Sequence, residues 1–257
     1  MTFHRRWARL RPPLRPTADV VRALGKAIGG HDARVLLLGV TPELADLGGE
    51  TVALDISEGM IADVWPGDTA ARRAVLGDWR AMPDLGAPFS AVIGDGSLSS
   101  IDDRDYPALF SEFERVLAPG ARLAIRLYEA PEIGESLEAV GRAALAGEIS
   151  GFHACKWRLA MAMAAERGHA SVVLGEIHRA FERVFPDRAA LSDATGWGQD
   201  VIAEIDDYAA SQTCYSFPTR RRVLASLPPS LVNPRFVTAG TYELAQRCPI
   251  LVADVAP

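Results

Sequence analysis

The sequence predicts an α/β fold: a Rossmann-like, mostly parallel sheet flanked by helices, with a helical lid inserted before the last strands. Three observations predict it. Short apolar runs alternate with helical segments through the first 130 residues, and right-handed crossovers then place helices on both faces of a parallel sheet. The runs are apolar throughout rather than alternating, which is the pattern of strands buried on both faces. After residue 130 the rhythm gives way to helices, and apolar runs resume only near residue 235. A chain of 257 residues with 49% hydrophobic content can bury one large core. It is read as a single domain, 1–257, with an N-terminal arm over 1–16 and a helical insertion over 130–230 that forms a lid.

Each element has its own signal. Residues 17–30 read as a helix: Thr17 caps it, Val20, Val21, Leu24 and Ile28 recur at helical spacing, and Gly29-Gly30 ends it. Residues 33–39 are an apolar run closing on Gly39. Residues 42–47 make a short helical turn. Residues 51–55 form a second strand ending in Asp55, and Ser57 caps the helix through Met60, Ile61 and Val64. Residues 74–78 and 89–94 are the third and fourth strands. A helix from Tyr106 to Leu117 buries Leu109, Phe110, Phe113 and Val116. Ala118-Pro119-Gly120 is a turn, and residues 121–128 are the fifth strand. Segments 132–146, 152–167, 175–185 and 198–211 read as helices with no strand between them. Segments 235–240, 242–245 and 249–255 supply one or two closing strands.

Charge and composition exclude some classes. A formal net charge of −6 argues against general nucleic-acid binding, which rests on neutralising phosphates. No run approaches the roughly 18 apolar residues of a membrane span. Cys155, Cys214 and Cys248 lie far apart, so neither a disulfide framework nor a zinc site is expected, and the simplest compartment is a reducing cytoplasm. No metal constellation is evident. Residues 1–15 carry Arg5, Arg6, Arg9, Arg11 and Arg15 and no acid. A transit peptide is one reading. Pro12, Pro13 and Pro16 interrupt any amphipathic helix there, which favours an arm packed over the domain. Trp7 and Leu10 would anchor it, with the arginines facing an anionic ligand.

Ligands of open α/β sheets bind beyond the carboxyl ends of the strands. The residues to read are therefore Gly39 and its followers, Asp55, Asp78, Asp95 and Arg126 to Tyr128. Asp55 lies 16 residues after Gly39, and a carboxylate there can accept both hydroxyls of a ribose. Asp78, followed by Trp79, can receive an adenine amino group and cover the ring. A lone aspartate at a strand end is most simply an N-cap; three ending successive strands weaken that reading.

Val35-Leu-Leu-Leu-Gly39, Ala53-Leu-Asp55-Ile-Ser57-Glu-Gly-Met60-Ile61, Gly77-Asp78-Trp79, Phe89-Ser-Ala-Val-Ile93 and Phe113-Glu-Arg115-Val116-Leu117-Ala-Pro119-Gly120-Ala-Arg-Leu123 follow in order. In that order they resemble the class I S-adenosylmethionine-dependent methyltransferases, over residues 33–128. The resemblance implies S-adenosylmethionine as cofactor, with Asp55 on its ribose, Asp78 and Trp79 on its adenine, and Asp95 near its amino group or the substrate. The chain departs from the family pattern after the first strand. Where the family has a loop of three glycines, it reads Gly39-Val40-Thr41-Pro42-Glu43. Val40 and Pro42 restrict the backbone there, and Thr41 and Glu43 are left to supply polar contacts. A nicotinamide enzyme also wants an acid ending the second strand, but its Gly-x-Gly-x-x-Gly turn is absent.

Within the insertion, His153, Lys156, Trp157 and Ala160 fall near one side of a helix. They read either as an acid/base or carboxylate-binding pair at the mouth of a site, or as a lid helix with its basic residues in solvent. Trp197, between Gly196 and Gly198, either stacks on a planar substrate or fills a gap. The expectation is a methyltransferase of this resemblance acting on a small molecule. Asp95 or His153 is the candidate base; Gly39, Thr41, Asp55, Asp78, Trp79 and Asp95 are cofactor contacts; Lys156, Trp7, Tyr128 and Trp197 are substrate contacts. The alternatives are a non-catalytic binding or regulatory protein of the same fold, or an enzyme using the cofactor for non-methyl chemistry.

Overall fold

The computed structural model describes Trp7 and residues 10–30, 32–86 and 88–257; Arg5, Arg6 and Arg9 lie outside the described residues. Seven strands form one sheet in the order β3-β2-β1-β4-β5-β9-β8. They are β1 (Arg34–Leu38), β2 (Glu50–Asp55), β3 (Arg72–Leu76), β4 (Phe89–Asp95), β5 (Leu117–Arg126), β8 (Leu231–Val237) and β9 (Ile250–Val255). The first five pair in parallel, and β9 runs antiparallel to both β5 and β8. Strand β1 sits between β2 and β4, so the strand order reverses there and opens a crevice at its carboxyl end. That crevice holds the site.

The helices flanking the sheet follow their sequence signals closely. Helix α1 (Ala18–Ala27) is capped by the Thr17 hydroxyl, and α2 (Glu58–Val64) by the Ser57 hydroxyl, which accepts from the Met60 N–H. Helix α3 (Tyr106–Val116) buries Leu109, Phe110, Phe113 and Val116. Some boundaries differ. Strand β3 stops at Leu76, two residues before Asp78. Strand β5 starts at Leu117 rather than after Gly120, because a bulge between the Phe89 and Ala91 pairings absorbs the predicted turn into the ladder.

The insertion contains α4 (Leu137–Leu145), α5 (Phe152–Arg167), α6 (Leu174–Val184), α7 (Arg188–Thr195), α8 (Gln199–Ile202) and α9 (Arg220–Ser226). It also contains two strands that the helical reading did not include. Strands β6 (Ser171–Val173) and β7 (Cys214–Ser216) pair antiparallel as a separate small sheet. At three residues each they are too short to show periodicity. Segment 242–245 is not a strand: Leu244 has φ +67° and opens a short helical turn, Ala245–Arg247. Arg220, Arg221 and Arg222 open α9. They pair with Glu129, Glu132 and Asp103, pinning α9 against the segment after β5 and the turn before α3.

Helix α5 organises the insertion. It is buried around most of its circumference, as a helix enclosed by others must be. Trp157, fully buried, packs edge-on against Tyr128 and Phe217 at 5.4 and 5.3 Å between ring centres. Leu10 and Leu14 of the arm enter the same apolar cluster. Trp157→Ala should therefore cost about 3–5 kcal/mol of stability, read as a lowered denaturation midpoint. Ile133→Ala, at a side chain 90% exposed, should stay within about 0.5 kcal/mol of the parent.

Candidate functional site

The carboxyl ends of β1, β2, β4 and β5 meet the arm around a cavity of about 100 Å³. Gly39 leaves β1 with φ +91° and donates its N–H to the Leu54 carbonyl at 2.8 Å. Only glycine adopts that turn without strain, and it lets the backbone pass beside Asp55 and Trp79; a Cβ at Gly39 would lie 3.8 Å from the Asp55 carboxylate and 3.9 Å from the Trp79 ring. Asp55 ends β2 almost fully buried, and its Oδ1 accepts from the Ser57 N–H at 2.8 Å. Burial raises its pKa, and the Ser57 hydrogen bond partly opposes that. The Trp79 indole N–H donates to the Leu54 carbonyl at 2.5 Å, which holds the ring against the cavity. Thr41, Asp95 and Tyr128 line the cavity too.

Asp78 is placed differently from its neighbour Trp79. It does not line the cavity: its carboxylate is held by Arg80, which also reaches Asp105, and that bonding lowers the Asp78 pKa. Asp95 lines the cavity, but its carboxylate is committed to Arg126. The two form a bidentate ion pair, with side chains 2% and 0% exposed. Burial pushes the Asp95 carboxyl up against the pull of the Arg126 charge. Burial also works against the guanidinium, but Asp95, Tyr128 and Tyr242 outweigh it and hold its pKa above the ordinary value.

The remaining Arg126 donors tie the arm to the sheet. One reaches the Tyr242 hydroxyl at 2.9 Å and another the Pro13 carbonyl at 2.8 Å, and the Tyr128 hydroxyl donates to the same carbonyl at 3.2 Å. A second fastening joins Arg15 to Glu43, just beyond Thr41. Trp7 and Leu14 thereby become part of the cavity wall. Sequence reasoning named Arg126 only as a strand-end residue. Its signal was a charge inside the apolar run Leu123-Ala-Ile-Arg126-Leu127, which demands a buried partner. Trp157, read only for its place on the helix face, forms part of the same wall.

His153, Lys156 and Trp197 lie away from this cavity. Lys156 is 2% exposed, with Nζ 5.0 and 4.9 Å from the Phe152 and Tyr208 ring centres; the reading that left it in solvent does not hold. His153 and Trp197 line a second cavity on the other side of the arm.

S-adenosylmethionine, the cofactor that the resemblance implies, can be tested against these residues. Trp7 and Trp157 both line the strand-end cavity, and the indole N–H of each is buried without a hydrogen-bond partner among the described residues. Glu43 Oε2, beside the arm, is likewise buried and unpartnered. Asp55 beside a left-handed glycine suits a ribose, and the Trp79 face suits an adenine. The donor and acceptor set therefore fits. The space is smaller than the roughly 300 Å³ at which ligand pockets begin, so the arm or Trp79 must shift to admit the whole molecule.

Asp95→Asn should leave the Arg126 charge buried without a counter-charge and cost about 3–5 kcal/mol, measured by urea unfolding. A second expectation concerns pH. Burial, then the charges of Lys156 and Arg11, lower the His153 pKa to about 3. Below the ordinary histidine value of about 6.5 the unfolded chain takes up a proton that the folded chain refuses. Stability should thus fall as pH drops from there towards 3, and His153→Gln should flatten that slope. Imidazole NMR at pH values below 6 should find His153 still neutral.

Residues 39–125 match a family model described as a methyltransferase domain. No curated protein matches the chain. Among solved structures, a putative Zn-dependent alcohol dehydrogenase from Rhodobacter sphaeroides is similar at TM-score 0.58 and 10% identity, covering 99% of this chain and 94% of that one. The glycopeptide N-methyltransferase MtfA, complexed with S-adenosyl-L-homocysteine, is similar at TM-score 0.52 and 15% identity, covering 97% and 95%. CalS10, an amino pentose methyltransferase from Micromonospora echinaspora with S-adenosylmethionine bound, is similar at TM-score 0.50 and 15% identity, covering 92% and 89%. At these identities the structures bear on the fold alone, and the domain match covers Gly39, Asp55 and Asp95 but not Arg126, Tyr128 or the arm. Residues 39–125, about a third of the chain, thus match a methyltransferase domain, and the sheet around them has the Rossmann-like fold of those solved structures.

Proposed function

We propose that this chain is an S-adenosylmethionine-dependent methyltransferase acting on a small molecule in the cytoplasm. One observation carries the reading: the strand-end cavity, with Asp55 beside Gly39, is roofed by the chain's own arm rather than open to a flat surface. A roofed, partly apolar cavity suits a small molecule better than a macromolecule. The cofactor supplies an electrophilic methyl group on a sulfonium; the chain supplies alignment and exclusion of water. Gly39, Thr41, Asp55 and Trp79 are the cofactor contacts in this reading, with Trp7 and Tyr128 at the junction between cofactor and substrate. The arm over 1–16 and the helical insertion over 130–230 act together as the lid. Arg80 occupies Asp78, so the adenine contact falls to Trp79.

A second reading is favoured by two particular features. Asp95, the candidate base at the strand end, is spent on Arg126, and the cavity is narrow. A binding or regulatory protein of this fold would tolerate both. Titration calorimetry with S-adenosylmethionine and S-adenosylhomocysteine, followed by a methyl-transfer assay, separates the two: both proteins bind, but only the enzyme turns over. Asp55→Ala should weaken binding of either by more than about tenfold, the loss of roughly 1.5–3 kcal/mol expected for a charged acceptor of buried hydroxyls. Unchanged affinity would remove Asp55 from the site, and no affinity in the parent protein would overturn both readings.

A further inference from the structure

The second cavity, of about 610 Å³, falls inside the usual range for small-molecule sites. Arg11 and Pro12 of the arm wall it, whereas Trp7 and Leu14 wall the strand-end cavity. Helix α5 also serves both: His153 faces the second cavity, and Trp157, one turn later, the first.

The chemistry of the second cavity is selective. Phe152 and Trp197 are aromatic walls, 2% and 8% exposed, and His153 is 6% exposed between them and Glu204. His153 Nε2 and Glu204 Oε2 stand 3.9 Å apart, too far for a hydrogen bond. They are close enough for one donor to bridge both. The imidazole is neutral, because burial together with Lys156 and Arg11 disfavours its charged form, so it offers a lone pair. Its Nδ1 has no partner among the described residues, and none of their hydrogen bonds fixes the tautomer against accepting at Nε2.

A bridging group must therefore donate twice and should also balance the Glu204 charge. An ammonium does both, and it is further stabilised against aromatic faces. A hydroxyl donates once and brings no charge. An anion would meet two carboxylates, Glu204 and the exposed Asp200, with Lys156 and Arg11 as its attraction; the same two cations oppose an ammonium, and the two carboxylates offset them.

We propose that this cavity binds a small amine as its ammonium, with the head between His153 and Glu204 and a ring against Phe152 and Trp197. Identifying that amine with the methyl acceptor rests on the transferase reading above; its binding does not.

The test is titration of the full chain at neutral pH, without cofactor, using 2-phenylethylammonium, 2-phenylethanol and 3-phenylpropanoate. The ammonium should bind saturably and at least about tenfold more tightly than the alcohol, as a charge-assisted bond requires. The carboxylate should not bind. Glu204→Gln should weaken the ammonium by about tenfold or more, and Asp200→Asn by less. In the wild-type chain the His153 imidazole ¹⁵N shifts should move with the ammonium titration, which decides the matter even if Glu204→Gln fails to fold. Equal binding of the three probes, indifference to Glu204→Gln, or unmoved His153 shifts would overturn the proposal. A separate titration with S-adenosylhomocysteine keeps the two readings apart. Cofactor binding without ammonium binding sinks the cavity alone. Ammonium binding without cofactor binding upholds the cavity and sinks the transferase.

Discussion

The carboxyl end of the sheet is organised around one buried ion pair, Arg126 with Asp95. Removing two charges from water costs several kcal/mol for each ion, and attraction offsets that only when every donor is also placed. Here four of the five guanidinium N–H groups are: the carboxylate takes two, the Tyr242 hydroxyl one and the Pro13 carbonyl another. Four separate parts of the chain are thereby brought to one point. They are the ends of β4 and β5, the arm, and the segment before β9. The arm holds its place over the crevice because its carbonyl satisfies a guanidinium that water cannot reach.

That arrangement separates the chemistry of the site from its volume. The chemistry on the cavity wall suits the cofactor: an acid at the β2 end, a left-handed glycine turn, an aromatic plate and two indole donors. The volume does not yet suit it, because the arm and Trp79 wall in a space of about 100 Å³. The same contacts that complete the wall also narrow it, so admission of a molecule as large as the cofactor requires movement of Trp79 or of the arm that Arg126 and Glu43 hold. The narrow loop Val40-Thr41-Pro42 is joined on the cavity wall by the unpartnered indole N–H groups of Trp7 and Trp157.

The parallel sheet was legible because β1, β2 and β4 carry nearly continuous apolar runs and its helices carry caps: Thr17 and Ser57 cap where their positions suggest. What escaped was short or non-local. Strands β6 and β7 span three residues each and draw their stability from each other. Asp78 read as a cofactor contact because it follows the third strand, yet Arg80, two residues on, occupies it. Sequence spacing cannot weigh an arginine that turns back on its neighbour. Lys156 and His153 do fall on one face of α5, as helical spacing requires, but what covers that face is supplied by residues near 200, far away in the chain. The role of Arg126 was signalled only by its incongruity in an apolar strand.

Helix α5 carries a consequence for how such a protein can diversify. It is enclosed on nearly every side and contributes a wall to each of two cavities. A substitution along it alters packing before it alters recognition, so selection for a new ligand meets a stability penalty there at once. The segment from Trp197 to Glu204 and the arm at Arg11 and Pro12 are under less constraint, since most of their residues are half-buried or exposed where they face the second cavity. Descendants of this chain that changed ligand would be expected to keep α5 nearly intact and to vary those two rims, with the helix acting as a fixed partition between chambers whose contents evolve independently.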